Sequence, residues 1–183
     1  MNLPNRITVG RIFMTPVLVV VMSFMRADMQ WVAAVLFVAV SLLDLLDGHL
    51  ARKRDEVTDF GKFVDPIADK LIITAAMVVL VAQQRMESWA LILFLAREFV
   101  ISAVRLVASG KGVVIAADRF GKWKTFAQTV AVTMMILLKP AQSAALPWGD
   151  VGAVMADVVT YIALALALYS CWNYSYANRQ VLK

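Results

Sequence analysis

Four of the six aspartates from Asp44 to Asp69 (Asp44, Asp47, Asp65 and Asp69) define the chemistry open to this chain. They lie in DLLDGHLARKRDEVTDFGKFVDPIAD, a polar stretch between two hydrophobic segments. At about 100° per residue, Asp44, Asp47, Gly48 and Ala51 fall on one side of a helix, with Arg52 at its edge. Gly61, Asp65 and Asp69 recur every four residues and line a second helix face. Carboxylates this close repel one another, and desolvating even one is costly. They are tolerated together when cations fill the space between them. All-oxygen donors suit hard ions, and Mg²⁺ characteristically takes a few carboxylates plus substrate phosphates. Two facing pairs therefore predict one or two such ions, in the manner of two-metal phosphoryl chemistry. Gly48, Ala51 and Gly61 let a bulky ligand approach the backbone, while Arg52 can hold a phosphate bidentately. The plain alternative is a solvated charge run; the regular spacing, with small residues on the same faces, counts against it. His49 projects roughly 140° from Asp44 and reads as a surface residue.

The elements that must position these residues are membrane helices. Of 183 residues, 61% are hydrophobic and only 17% charged, which is too apolar for a water-soluble domain. The expected fold is an all-α integral membrane protein of one domain, residues 1–183, with six transmembrane helices. The predicted spans are 9–25, 30–50, 59–82, 88–108, 125–138 and 151–172, each near the length that crosses a bilayer. Pro4 and Asn5 predict a short N-terminal interfacial segment before the chain turns inward. The first apolar stretch lacks a small-residue cleavage pattern and continues into further spans, so it reads as a span and not a signal peptide. Pro66, between Asp65 and Asp69, removes a backbone N–H and predicts a kink beside the site. The fifth span is short unless it borrows Trp123 or the basic residues before it. Cys171, the one cysteine, excludes an intramolecular disulfide and reads as an apolar filler.

Charge gives the orientation. Fourteen of the 18 basic residues fall at the end of the spans that carries both termini and the aspartates. Arg26, Arg85 and Lys139 fall on the opposite loops, and Arg97 lies inside a span. By the positive-inside rule, the termini and the aspartates face the cytoplasm. The formal net charge of +5 is thus a mark of topology and not of nucleic acid.

Asp44-x-x-Asp47-Gly48-x-x-Ala51-Arg52, eight residues, then Gly61-x-x-x-Asp65-x-x-x-Asp69 resembles the complete signature of the CDP-alcohol phosphotransferase family. The resemblance implies a six-helix membrane enzyme, usually a homodimer, with a polar cavity open to the cytoplasm. Such an enzyme uses an alcohol to attack a CDP-linked donor and releases CMP. Carried over by position, Asp44, Asp47, Asp65 and Asp69 resemble ligands of two ions, Mg²⁺ or Mn²⁺. Asp69 also resembles the base that takes the acceptor's proton, a role open to a carboxylate when geometry assists. Gly48, Arg52, Gly61 and, less fully matched, Thr58 resemble positions that hold the CDP group. An intramembrane prenyltransferase also binds diphosphate through aspartates and Mg²⁺, but the Asp-Gly-x-x-Ala-Arg element argues against it. A cation transporter would hold its carboxylates near mid-bilayer, not at a charged border.

The acceptor is read elsewhere. NLPNRITVGR at the start and LAREFVISAVRLVASGKGVVIAADRFGKWKTFAQT later are similar to the phosphatidylglycerophosphate synthase subgroup of that family. That likeness implies CDP-diacylglycerol as donor and sn-glycerol 3-phosphate as acceptor. Other alcohols of the family (inositol phosphate, serine, choline or phosphatidylglycerol) form the runner-up. A phosphate monoester calls for cations, and the candidates are Arg105, Arg119, Lys122 and Lys124. Lys122 and Lys124 could instead anchor a helix to anionic headgroups. Glu98, Ser102 and Arg105 share a helix face and predict a polar stripe toward the site. Arg97 is expensive in mid-span and should be functional or paired. Asn5, Thr8 and Arg11 are expected to close over the donor. Leu43 and His49 depart from the family's usual residues without touching the signature. A short chain without a transit peptide points to a bacterial inner membrane.

Overall fold

Apolar stretches fold as helices because a helix satisfies its own backbone polar groups without water. Among the described residues of the computed structural model there are six: α1 (Leu3–Phe24), α2 (Gln30–Arg54), α3 (Asp59–Ala82), α4 (Ser88–Gly110), α5 (Arg119–Leu138) and α6 (Gly149–Ala177). The structure describes the backbone of 3–24, 29–54, 59–113, 119–139 and 149–179. Side chains are described for 8–24, 29–42, 67–68, 70–113, 121, 123–139 and 151–179.

Several boundaries differ from the sequence expectation. No separate segment precedes the first span: α1 is helical from Leu3. Pro4 falls in its first turn, where the missing N–H has no helical partner to lose. α5 borrows its basic lead-in and starts at Arg119. α6 runs on through Trp172, Tyr174 and Tyr176 to Ala177. α3 continues unbroken through Pro66. By length and composition, one described stretch suffices to cross a bilayer, Val151–Ala177; those at 8–24, 30–42, 70–82 and 123–138 are shorter. α4 misses that measure because it carries Arg97, Glu98 and Arg105.

α6 shows how the bundle is turned. Its buried seam is mostly small or polar, with Ala156, Thr160, Ala163, Ala167 and Ser170 recurring at steps of three and four before Tyr174, and Leu164 the large aliphatic member. Its exposed face carries Val154, Val158, Ile162, Leu166 and Trp172. Small residues inside and large apolar ones outside suit lipid, where backbones gain by close approach.

The turn after α3 fixes the topology. Gln84 takes a left-handed conformation, φ 57°. Its N–H donates to Val81 O and the N–H of Arg85 to Leu80 O, a Schellman closure that usually has glycine at this place. The chain is thereby turned so that Arg85 is buried in the bundle. Arg85 donates to Gln30 Oε1 at the start of α2 (2.7 Å) and to Gln83 Oε1 (3.0 Å). Its other terminal nitrogen donates to the carbonyls of Met135 and Ile136 near the end of α5. Gln83 Nε2 in turn donates to Met22 O near the end of α1 (2.7 Å). Arg85 and Gln83 together thus gather the ends of α1, α2, α3 and α5 beside the start of α4. The end of α2 (residues 44–54) and the start of α3 (residues 59–69) are the far ends of those two helices from Arg85.

α4 closes with a second Schellman turn, Gly112 N–H to Ser109 O and Val113 N–H to Ala108 O, and here Gly112 supplies the left-handed φ of 71°. Two apolar clusters fill the bundle. The larger includes Leu18, Phe37, Met77, Leu80, Phe94 and Ile136; the smaller holds Ile101, Val104 and Tyr174. Arg97 and Glu98 fall between Phe94 and Ile101 on α4, so a polar layer separates the two clusters.

Candidate active site

The backbone arranges the aspartates as their spacing requires. Asp44, Asp47, Gly48 and Arg52 ride on the last turns of one continuous helix, α2. Gly61, Asp65 and Asp69 ride on the first turns of another, α3. α2 and α3 pack together, and α1 packs against both. The side chains of these seven residues, and of Arg119 and Lys122 on α5, lie outside those described, and Thr58 lies outside the described residues. The donor set is all carboxylate, which fits a hard divalent ion. Among the described residues no other group of three or more His, Cys, Asp or Glu could hold a metal.

α1 turns polar toward the same end. Thr8, Arg11 and Thr15 are buried at steps of three and four, on the helix that covers α2 and α3. The Asn5 side chain lies outside those described.

The acceptor candidates separate. Lys124 is buried, 4% exposed, so it is not a headgroup anchor at the surface. It pairs with Glu98 Oε1. The same oxygen accepts from Arg97 Nη1 at 3.0 Å, and Arg97 Nη2 donates to Ser170 Oγ on α6 at 3.0 Å. Glu98 Oε2 lies 4.0 Å from Lys70 Nζ, which donates to Ser102 Oγ at 2.7 Å. The expected stripe of Glu98, Ser102 and Arg105 therefore divides. Its first two members join Lys70, the residue that follows Asp69 on α3. Arg105 instead lies exposed against α6, with its Nε donating to Tyr174 Oη at 3.2 Å and its guanidinium 5.7 Å from that ring's centroid. Its terminal nitrogens keep the forked geometry that suits a phosphate.

Arg97 is paired, as an intramembrane charge must be. Among the described residues the cluster holds three cations around one carboxylate. Sequence reasoning gave Lys70 only a topological role and left Arg97 unassigned. Arg97 and Glu98 are adjacent in sequence and diverge by about 100° on a helix, which hid their convergence. The placement of Lys70 directly after Asp69 was the available signal.

This arrangement fits a reaction between two phosphate-bearing substrates, one at the aspartates and one at the cations. The CDP-alcohol phosphatidyltransferase family model matches residues 1–172, and the chain belongs to that family. It is 36% identical over 197 aligned positions to the CDP-diacylglycerol–glycerol-3-phosphate 3-phosphatidyltransferase of Bacillus subtilis, across 100% of this chain and 97% of the relative. The protein of that name from Rickettsia felis is 33% identical over 173 positions, 94% of this chain and 93% of its own. That from Haemophilus influenzae is 32% identical over 178, 94% and 91%.

Proposed function

We propose that the chain transfers the phosphatidyl group of CDP-diacylglycerol to sn-glycerol 3-phosphate, yielding phosphatidylglycerophosphate and CMP. The observation that carries this reading is end-to-end likeness to enzymes of that name, 36% identity over the whole chain in one case.

In this reading residues 1–183 form one membrane domain whose six helices all cross the bilayer. The lipid-turned face of α6 and the positive charge at the aspartate end support an embedded protein with both termini in the cytoplasm of a bacterium. The acyl chains of the donor stay in lipid while the CDP group enters between α2 and α3. Gly48 and Gly61 leave room for it, and Arg52 and Thr58 hold its phosphates and sugar. Asp44, Asp47, Asp65 and Asp69 would hold two Mg²⁺ or Mn²⁺ ions, whose charge polarises the pyrophosphate. Arg105, Arg119, Lys122 and Lys124 hold the acceptor's phosphate. The acceptor hydroxyl then lies near Asp69, which takes its proton as the oxygen forms a bond to the phosphorus bearing diacylglycerol. The bond from that phosphorus to CMP breaks, and CMP leaves with the electron pair. The protein works as a homodimer.

The test is CMP release by the purified protein with Mg²⁺ and CDP-diacylglycerol, offered different alcohols. Release with sn-glycerol 3-phosphate is expected. No release with any alcohol overturns the family chemistry for this chain; release with inositol phosphate but not glycerol 3-phosphate overturns the acceptor alone.

A further inference from the structure

α4 packs against α3 and α6 but, among the described residues, not against α5. The pair between Glu98 on α4 and Lys124 on α5 spans that gap. Glu98 is itself fixed from two sides, by Arg97 at 3.0 Å and Lys70 at 4.0 Å. Arg97 is anchored to Ser170 and Lys70 to Ser102, so one carboxylate sits where α3, α4, α5 and α6 meet.

We infer that Glu98 is a positioning residue for the acceptor: it holds the Lys124 ammonium at the place where the acceptor's phosphate binds. The inference rests on the reading of Lys124 as an acceptor-phosphate ligand. A lysine side chain is flexible and loses much freedom when ordered, and α4 supplies Lys124 no backbone neighbour. Without a carboxylate, Lys124, Arg97 and Lys70 repel one another and move apart. With it, the three stay together around one carboxylate and Lys124 keeps its place. Lys70 and Glu98 are the more exposed members of the cluster, 40% and 20% exposed, while Arg97 and Lys124 are buried.

This role has a sign that simple charge counting does not. Glu98→Gln makes the cluster more positive, and by Coulomb attraction alone the acceptor would bind more tightly. Positioning predicts the reverse. For Glu98→Gln the KM for sn-glycerol 3-phosphate should rise about tenfold, the loss of one good charge-assisted contact, and the KM for CDP-diacylglycerol should stay within about twofold. An acceptor KM that is unchanged or lower overturns the inference. If Glu98→Gln does not fold, Lys124→Met and Glu98→Gln/Lys124→Met decide it, because together these replace the pair. Lys124→Met should raise the acceptor KM, and adding Glu98→Gln should change that KM by less than about twofold, since Glu98 acts through Lys124. A normal acceptor KM in Lys124→Met, or a further tenfold loss in the double variant, overturns it. Wild-type protein that releases no CMP overturns the functional reading and this inference with it; wild-type turnover combined with a normal acceptor KM in Glu98→Gln overturns this inference alone.

Discussion

Arg85 and Arg97 are buried arginines in one helical bundle, and their surroundings differ in kind. Eleven residues of α5 separate Lys124, in the Arg97 cluster, from Met135, in the Arg85 cluster, about 17 Å of helix. Arg85 meets neutral oxygens: two glutamine side chains and the carbonyls of Met135 and Ile136. Those carbonyls lie in the last turn of α5, where the helix dipole favours a cation; Met135 O also accepts from the Lys139 N–H at 3.3 Å. Burial pulls the Arg85 pKa down to about 10, which leaves it charged at neutral pH. Arg97 instead shares one carboxylate with two lysines. A buried cation matched to helix ends locks helices together; in the other cluster Arg97, Lys124 and Lys70 converge on one carboxylate, at the end where the proposed reaction lies.

That division can be broken by experiment. The largest effect belongs to the reaction end: Asp69→Asn should lower CMP release at least about a thousandfold through loss of the base, with thermal unfolding in detergent little changed. A comparable loss of folding would move Asp69 from chemistry to structure. Next is Arg85→Met, which leaves several buried acceptors without a donor and should cost about 3 kcal/mol, read as a lower unfolding temperature. Its acceptor KM should match wild type; a raised KM would erase the contrast between the two ends. Arg105→Ala should raise the KM for sn-glycerol 3-phosphate about tenfold and that for CDP-diacylglycerol little. An equal loss of both refutes its role. The smallest effect is a gain. Gln84→Gly relieves a left-handed side-chain residue and should stabilise the protein by about 1 kcal/mol, which a melting curve detects as a few degrees.

The sequence made the two ends unequally legible. The aspartates announce themselves because a helix period places them with glycines and Arg52 on narrow faces. The six helices followed from apolar runs. Their starts did not: Pro4 reads as a breaker yet sits harmlessly in a first turn, and basic residues before Trp123 extend α5. Lys124 was legible as a cation but not as a buried one, because its partner Glu98 comes from another helix. Arg85 was harder still. In AQQRMES it looks like an ordinary loop charge, and only the left-handed turn at Gln84 buries it against the end of α5. Local spacing reveals a site built within helices; it is silent about charges whose partners arrive through tertiary packing.

The most direct test of the whole account is the identity of the lipid made. Purified protein in detergent, with Mg²⁺, CDP-diacylglycerol and carbon-labelled sn-glycerol 3-phosphate, would be analysed by mass spectrometry alongside CMP. Labelled phosphatidylglycerophosphate, formed in a one-to-one ratio with CMP, is the predicted result. CMP accompanied by phosphatidic acid, with the label left in free glycerol 3-phosphate, would mean that water and not the acceptor attacks, and would contradict it.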